Sequence, residues 1–436
     1  AHKAHWKGGV VWKEDKQKND WIGVACEDDG ASTWLPCKDV TSDECDSAKM
    51  RVTIPDTTLF IASNGLFAGA EKRKDSRSFN WKVSYPINTY DITFYVGNFT
   101  KIEDSYTGIN SKNLQLTYYV LQPHAAIALE HFQQVKEILR TFEEYYGEYP
   151  WYKDGFKLVE SPYAGMEHQT AIAYGNRFRD DNFFNQDYII LHETGHEWFG
   201  NAVTSADFSD IWLQEGFATY GESLFLEKKY GREKADNLFS LYRWFIKNQH
   251  PVVGPVGRRY FDYHDNDAYV KGAWILKSLR CTINNDSLFF SVLKTFYNEN
   301  KYKITDTRSF VECTNKVTGK DFTWFFDAYL NHNETPVLEF EVVHGDLYYR
   351  WANVPAEFNK LPVTLRYEFA DCEKKYQVYP DNQVRLFSLS ESNTPADYAQ
   401  LVKSPCTCKI DLSHALLGTR KNKHLHIMYD KQTRKK

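Results

Sequence analysis

Residues 191–200 read LHETGHEWFG and place His192 and His196 four positions apart, with Glu193 between them. On an α-helix, residues four apart lie on one face about one turn from each other, so both imidazole rings can reach one cation. Neutral imidazole nitrogen is a preferred ligand of zinc. The spacing therefore predicts a helix that carries two metal ligands, with the Glu193 carboxylate beside them.

A third ligand is predicted on the next helical segment, IWLQEGFATY, which contains Glu215. Its distance from His196 along the chain allows a first helix to end near Gly200 and a second to begin near Asp210. Two adjacent antiparallel helices would then present His192, His196 and Glu215 to one zinc ion per chain. Three protein ligands with one open position is the arrangement of catalytic zinc.

The open position predicts hydrolytic chemistry. Zinc lowers the pKa of a bound water towards neutrality. Glu193 is placed to take a proton from that water and to pass it to a leaving amine, first as a general base and then as a general acid. These roles predict hydrolysis of a carbonyl compound, most simply a peptide bond.

The hydrophobic period changes twice along the 436-residue chain, which is long enough for two to three domains. Residues 1–122 are rich in β-branched and aromatic residues and predict a β-sheet domain. Residues 123–335 predict an α-rich catalytic domain. Residues 336–436 return to period two, as in VLEFEVV, and predict a β-sandwich with a basic tail. The predicted fold class is therefore multidomain α+β.

Composition excludes some partners. A net charge of −5 and a pI near 6.3 argue against nucleic acid as the main partner. No apolar run is long enough to span a bilayer, so no transmembrane segment is predicted. The eight Cys are scattered without a metal-type pairing, and they leave the compartment open.

Three further stretches have recognisable patterns, namely ACEDDGASTWLPCKD at 25–39, AGMEH at 164–168 and YVKGA at 269–273. Together with LHETGHEWFG and Glu215, and in this order, they resemble the motifs of the aminopeptidase N family of zinc metallopeptidases. These are gluzincin aminopeptidases, and they include leukotriene hydrolase. The likeness runs over nearly the whole chain. It implies that the catalytic domain is thermolysin-like.

The resemblance implies a role for each matching residue. Glu167 would bind the free α-amino group of the substrate, and Glu27 would touch the same amine. Tyr269 would stabilise the oxyanion of the tetrahedral intermediate. Gly165 and the adjacent backbone would run beside the substrate as an edge strand. Met166 would line the pocket for the first substrate residue.

Two carboxylates in a zinc cleft would attract an ammonium group and reject a blocked N-terminus, because an acylated amine leaves them unpaired. The predicted function is therefore a zinc-dependent aminopeptidase that acts on peptides with a free N-terminus. A thermolysin-like zinc endopeptidase is one alternative, which the response to an acetylated N-terminus would distinguish. A catalytically silent peptide-binding homologue is another, and the presence of Glu193 and Tyr269 argues against it. The resemblance slightly favours export, to a periplasm or cell surface, over the cytoplasm.

The sequence departs from the family at two places. His168 stands where the family has Asn, and a titratable ring beside the site predicts that His168→Asn shifts the pH profile of activity. A histidine that only forms a hydrogen bond is the alternative interpretation. The family's N-terminal β-domain is also longer than residues 1–122, so the chain is expected to begin inside that domain.

Overall fold

The computed structural model describes residues 8–27, 30–55, 58–257, 265–343, 346–355, 357–368, 373–388, 407–411 and 415–433. Along these residues an N-terminal region of strands is followed by a mainly helical region and then by further strands. This order confirms the predicted multidomain α+β class. Among the described residues, no helix combines the length and the apolar character needed to cross a membrane.

The N-terminal region consists of short antiparallel sheets. Its strands are β1 (Gly9–Glu14), β2 (Asp20–Ala25), β3 (Glu44–Cys45), β4 (Ala48–Pro55), β5 (Phe60–Ser63), β6 (Leu66–Lys72), β7 (Ser76–Val83), β8 (Ile87–Asn88) and β9 (Phe94–Gly97). They pair in the orders β1-β2-β9-β5, β4-β7-β6 and β3-β8. Strand β2 ends just before Glu27, so this region brings one of the predicted amine-binding residues to the cleft.

A five-stranded sheet follows, and it crosses the predicted division at residue 122. Its strands are β10 (Phe99–Thr107), β11 (Asn113–Leu121), β12 (Phe156–Glu160), β13 (Gly165–Met166) and β14 (Ile172–Tyr174), in the order β10-β11-β12-β14-β13. Strands β11 and β12 pair in parallel, with Leu116 opposite Phe156. Because backbone hydrogen bonds join these two strands, residues on both sides of the predicted division belong to one sheet. Strand β13 lies at the sheet edge, antiparallel to β14.

The helical region carries a parallel strand pair, β15 (Val203–Ser205) and β16 (Lys303–Thr305). Its helices are α1 (Ala125–His131), α2 (Gln134–Tyr145), α3 (Tyr188–Gly195), α4 (Trp212–Tyr230), α5 (Arg232–Tyr242), α6 (Gly272–Ile283), α7 (Asp286–Asn300), α8 (Thr307–Thr318) and α9 (Thr323–Leu330). The central helix α4 is buried over most of its length because α3, α5 and α6 surround it. Aromatic rings pack between α3 and α4, and the ring centroids of Phe199 and Phe217 lie 4.3 Å apart.

Helices α4 and α6 pack closely against each other, and this packing positions the turn that precedes α6. A Cβ atom on Gly272 would lie 2.9 Å from the Cα of Gly216, which is closer than packed atoms tolerate. Glycine at both positions therefore lets the two helix backbones approach each other. The residues just before α6, Asp267–Lys271, form a π-helical turn that contains Tyr269. Such turns are frequent at functional sites.

The C-terminal strands form two facing sheets. The elements are β17 (Val337–Val343), β18 (Asp346–Ala352), β19 (Val363–Glu368), β20 (Glu373–Val378), β21 (Arg385–Phe387), β22 (Thr407–Asp411), β23 (Gly418–Lys421) and α10 (Leu425–Thr433). The sheet orders are β21-β18-β17-β23 and β20-β19-β22. Phe387 of the first sheet packs on Tyr376 of the second at 5.0 Å between ring centroids. The two sheets thus pack face to face, as in the predicted sandwich.

The basic tail is more ordered than its charge alone would suggest. Helix α10 packs on β17 and β18, with Tyr429 5.6 Å from Tyr348 between ring centroids. The Nδ1 atom of His426 lies 2.9 Å from the Glu341 carboxylate. These contacts pack α10 against the C-terminal sheet.

Candidate metal centre and substrate cleft

Helices α3 and α4 bring the three predicted metal ligands together. The Nε2 atoms of His192 and His196 each lie 3.4 Å from Oε2 of Glu215. The two Nε2 atoms lie 3.2 Å from each other. All three side chains are buried. The three atoms therefore form a nearly equilateral triangle that faces one point in the cleft.

The triangle fits a tetrahedral zinc ion. Zinc bonds of about 2.0–2.1 Å in tetrahedral geometry separate neighbouring ligand atoms by about 3.3–3.4 Å. In addition, Oε2 of Glu215 is buried and has no hydrogen-bond partner among the described residues. A buried acceptor without a partner is costly, and a cation at the centre of the triangle would supply the missing interaction.

The other nitrogen of each histidine is fixed by a hydrogen bond. Nδ1 of His192 donates to Oε1 of Glu222 at 2.8 Å, and the Tyr242 hydroxyl donates to the other oxygen of that carboxylate. Nδ1 of His196 donates to the carbonyl oxygen of Phe199 at 3.1 Å. Protons on both Nδ1 atoms leave both Nε2 lone pairs free for a metal.

Glu222 is a residue that the sequence analysis did not single out. It lies seven residues after Glu215 on α4, so the two carboxylates share one helix face. That spacing was a usable signal, because histidine ligands of zinc commonly donate their second N–H to a carboxylate.

The metal centre holds protons when no cation is bound. Burial lowers the pKa of His196, but the Glu215 and Glu167 carboxylates outweigh it and raise that pKa to about 9. Burial raises the pKa of Glu215, but the neighbouring His196 and His192 outweigh it and lower that pKa to about 2. Zinc would displace the histidine protons and take over their electrostatic role.

Glu193 projects from α3 into the same space. Burial raises the pKa of its carboxyl group to about 7, against the opposing effect of the two histidines. A pKa near neutrality suits a group that both accepts and donates a proton. The edge strand makes room for this side chain, since a Cβ atom on Gly165 would lie 2.5 Å from Oε1 of Glu193.

Glu167 also lies at the centre of the cleft. Carboxylate oxygens of Glu167 and Glu193 and a ring nitrogen of His196 all lie within 4.8 Å of one another. The Tyr90 hydroxyl donates to Oε1 of Glu167 at 3.3 Å. Nothing local in the sequence signals Tyr90, because it lies 77 positions away from its partner.

Other elements carry the remaining predicted site residues. The Tyr269 hydroxyl donates to Oε1 of Glu27 at 3.3 Å, and its ring stacks on His192 with centroids 6.1 Å apart. Gly165 and Met166 form the edge strand β13. Met166 packs into the buried cluster of the N-terminal region, where Tyr163 also contacts that cluster. The structure therefore brings Glu27, Tyr269 and Gly165 next to the metal residues, whereas it packs the Met166 side chain into the N-terminal core. The roles of these residues stay predictions.

His168 is a buried core histidine. It has no exposed surface, and its Nδ1–H donates to the Tyr95 hydroxyl at 3.0 Å, which in turn donates to the carbonyl oxygen of Ala171. Burial lowers its pKa to about 3, so the ring is neutral around pH 7. This geometry favours the alternative of a hydrogen-bonded core residue over a ring whose titration changes the pH profile.

Comparison with known proteins shows which family the central part of the chain is similar to. Residues 130–329 match the model of the peptidase family M1 domain. The chain is 23% identical to aminopeptidase B of Rattus norvegicus over 342 residues, which cover 74% of this chain and 48% of the relative. It is 27% identical to glutamyl aminopeptidase of Bos taurus over 278 residues, which cover 59% of this chain and 28% of the relative. The chain thus spans about half the length, or less, of these curated relatives.

A solved structure shares the fold. It is an M1 zinc metallopeptidase from Deinococcus radiodurans, a Glu-to-Ala mutant bound to a Tyr-Ser-Ala substrate. The TM-score is 0.62 at 21% sequence identity, and the match covers 73% of this chain and 71% of that one. These findings confirm the resemblance inferred from the motifs.

Proposed function

We propose that this chain, whose residues 130–329 match the peptidase family M1 domain, is a zinc-dependent aminopeptidase that removes N-terminal residues from peptides. The observation that carries the proposal is the position of Glu167, whose carboxylate lies within 4.8 Å of the ligand atoms of Glu193 and His196. Hydrolysis at zinc needs no such additional carboxylate. Binding of an ammonium group beside the scissile bond does.

The chemistry would be divided between the metal and this chain's side chains. Zinc, held by His192, His196 and Glu215, would supply a Lewis acid that lowers the pKa of water and polarises a carbonyl group. Glu193 would hold the proton released from the water and deliver it to the leaving amine. The position of the Glu193 carboxylate supports this assignment, because it lies within 4.8 Å of a ring nitrogen of His196.

Glu27 and Tyr269 would contact two different groups of the first substrate residue, its α-ammonium group and its carbonyl oxygen. The Glu27 carboxylate would join Glu167 in binding the α-ammonium group, which two carboxylates compensate better than one. The Tyr269 hydroxyl would donate to the carbonyl oxygen as negative charge develops there. The hydrogen bond between the two side chains supports their joint presence at the first substrate residue.

The edge strand would align the peptide beyond the scissile bond. Strand β13 pairs with β14 on one side, and its other side is the edge of the five-stranded sheet. An extended peptide can add to such an edge through backbone hydrogen bonds, largely independent of its side chains. This mode suits an enzyme that shortens peptides of varied sequence from one end.

The test is hydrolysis of a panel of aminoacyl fluorogenic amides, each paired with its N-acetylated form. Cleavage of the free-amine substrates alone, lost on chelation and restored by zinc, supports the aminopeptidase. Glu193→Gln is the matched control because it keeps the size of the side chain and removes the base. Equal cleavage of the acetylated substrates would reject the aminopeptidase in favour of an endopeptidase. Absence of bound zinc would reject the metal chemistry.

A further inference from the structure

The turn that carries Glu167 has a strained backbone. Thr170 adopts a φ of +57°, and the N–H of Ala171 closes the turn on the carbonyl oxygen of His168 at 2.9 Å. A β-branched residue in the left-handed region is unfavourable, so the surroundings must hold it there. The contacts of this turn therefore decide where the Glu167 carboxylate lies.

Two side chains that follow a metal ligand hold the turn from one side. Thr170 N donates to Oε1 of Glu197 at 2.9 Å. Nδ2 of Asn201 donates to the carbonyl oxygen of Glu167 at 2.8 Å. Glu197 is the next residue after His196, and the backbone N–H of Asn201 donates to the His196 carbonyl oxygen at 3.0 Å. One ligand of the metal triangle is thus linked to both ends of the turn.

The N-terminal region holds the same turn from the other side. Gly65 N donates to Oγ1 of Thr170 at 2.9 Å, and Asn64 Nδ2 donates to the Gln169 carbonyl oxygen at 2.6 Å. The N–H of Gln169 donates to Oδ1 of Asp91 at 3.3 Å. These bonds keep the turn folded, but they do not connect it to the metal ligands. The contacts of Glu197 and Asn201 are the ones that join the turn to the segment that carries His196.

The burial of Glu197 destabilises the folded protein. It is completely buried, and its Oε2 atom has no hydrogen-bond partner within the described part of the chain. Burying a carboxyl group with one oxygen unpaired costs stability. Its other oxygen, Oε1, accepts the hydrogen bond from Thr170 N and so holds the strained residue of the turn. This contact explains why a carboxyl group is buried here, which packing alone does not.

We propose that Glu197 and Asn201 are positioning residues that set the distance from Glu167 to the metal and so determine the preference for a free α-amino group. The effect on substrate choice rests on the proposed function. The hydrogen bonds of Glu197 and Asn201 to the turn do not depend on the proposed function.

The test compares variants that break each bond. Glu197→Leu removes the acceptor for Thr170 N, and Asn201→Ala removes the donor to Glu167. Glu197→Gln keeps an acceptor oxygen of the same reach and serves as the conservative rescue. Tyr146→Phe is the control for general destabilisation, because it removes a buried hydrogen bond, to the Phe217 carbonyl oxygen, that has no contact with the turn.

Backbone amide hydrogen exchange is the first readout, and it needs no activity. Exchange of residues 166–171 should be at least about tenfold faster in Glu197→Leu and Asn201→Ala than in Tyr146→Phe. Glu197→Leu frees the Thr170 amide directly, and Asn201→Ala releases the Glu167 carbonyl oxygen and so loosens the turn. Glu197→Gln should stay within about threefold of the unmodified protein. Exchange no faster than in the control would overturn the link. Should Glu197→Leu fail to fold, Asn201→Ala gives the same test from the other bond.

Steady-state kinetics with paired free and acetylated substrates is the second readout. Glu197→Leu and Asn201→Ala should raise KM for free-amine substrates about tenfold, at unchanged zinc content. They should also lower the ratio of kcat/KM for the free-amine substrate to kcat/KM for its acetylated form. Faster exchange with an unchanged ratio would overturn the role in specificity. An unmodified protein that cleaves neither substrate would instead reject the proposed function, while the exchange result would still decide whether the link exists.

Discussion

Glu193 lies on α3 between the two predicted metal ligands His192 and His196, and its carboxylate lies against the backbone of the edge strand. If it moves the proton between water and the leaving amine, Glu193→Gln should lower kcat by about 10³-fold. The ligand triangle is untouched, so the zinc content should remain that of the unmodified protein. The measurement combines steady-state kinetics with metal analysis of the same preparation. A loss below tenfold with full zinc occupancy would remove Glu193 from the mechanism.

His168 gives a prediction about pH. Its pKa is about 3 in the folded protein and near 6.5 when exposed, so between these values the unfolded chain binds a proton that the folded chain does not. Stability therefore falls as the pH drops through this window, by at most about 1.4 kcal/mol per pH unit for this residue. His168→Asn should flatten the loss of stability between pH 6.5 and pH 4.

The comparison is urea unfolding of the two proteins at several pH values. The pH profile of activity near neutrality should be the same in both, because the ring of His168 is neutral there. An equal slope of stability against pH, or a shifted activity profile, would show that His168 titrates in the folded protein as an exposed histidine does.

At the scale of elements, strand β13 and helix α3 meet at Gly165. A Cβ atom there would lie 2.5 Å from the Glu193 carboxylate and 2.8 Å from Ile189. Gly165→Ala should therefore displace Glu193 and lower kcat/KM by at least about tenfold. The φ angle of Gly165 is not in the left-handed region, so the backbone itself tolerates alanine and the unfolding temperature should change little. An activity equal to that of the unmodified protein would contradict this packing.

Helix α4 carries the predicted ligand Glu215 and also Glu222, which supports His192 of α3. Glu222→Ala removes the acceptor that orients His192, and it should weaken zinc binding by about 10- to 100-fold. Competition with a chromophoric chelator measures the change. Glu227→Ala is the matched control on the same helix, because its carboxylate pairs with Arg280 instead. Equal zinc affinity in both variants would show that His192 is oriented without Glu222.

Local spacing explains which parts of the site could be predicted. The turn period of a helix places His192 and His196 together, and α4 begins at Trp212, close to the predicted start near Asp210. Regular α3 already ends at Gly195, before the predicted Gly200, because a tight turn follows it. A spacing argument sets the face of a helix more reliably than its end.

Contacts between distant segments explain what could not be predicted. Tyr90 reaches Glu167 from the N-terminal region, and Tyr269 sits on a π-helical turn whose extra residue no periodic pattern signals. The pairing of β11 with β12 depends on which strands meet across the long segment that contains α1 and α2. A change of period along the chain marks where helices begin, not which sheet a strand joins.

At the scale of the whole molecule, the metal should stabilise the fold. The predicted ligands come from the end of α3 and from α4, which only the folded chain brings together, so a bound zinc ion would favour the folded state. Chelation should lower the unfolding temperature, and zinc in excess over its Kd should restore it. The difference in unfolding temperature between the zinc-bound and the chelated protein should decrease as the pH falls. Protons then compete with zinc for His196, whose pKa is about 9 without the metal.

Calorimetry with and without chelator, at pH 7.5 and pH 5.5, tests this coupling. An unfolding temperature that is independent of the metal at both pH values would mean that the triangle of His192, His196 and Glu215 does not hold zinc in the folded protein.

The most direct measurement is mass spectrometry of an unlabelled ten-residue peptide during digestion, beside the same peptide with an acetylated N-terminus. If Glu167 and Glu27 bind the α-ammonium group, the free peptide should lose one residue at a time from its N-terminus, and the acetylated peptide should stay intact. Internal fragments, or equal digestion of the acetylated peptide, would contradict the aminopeptidase.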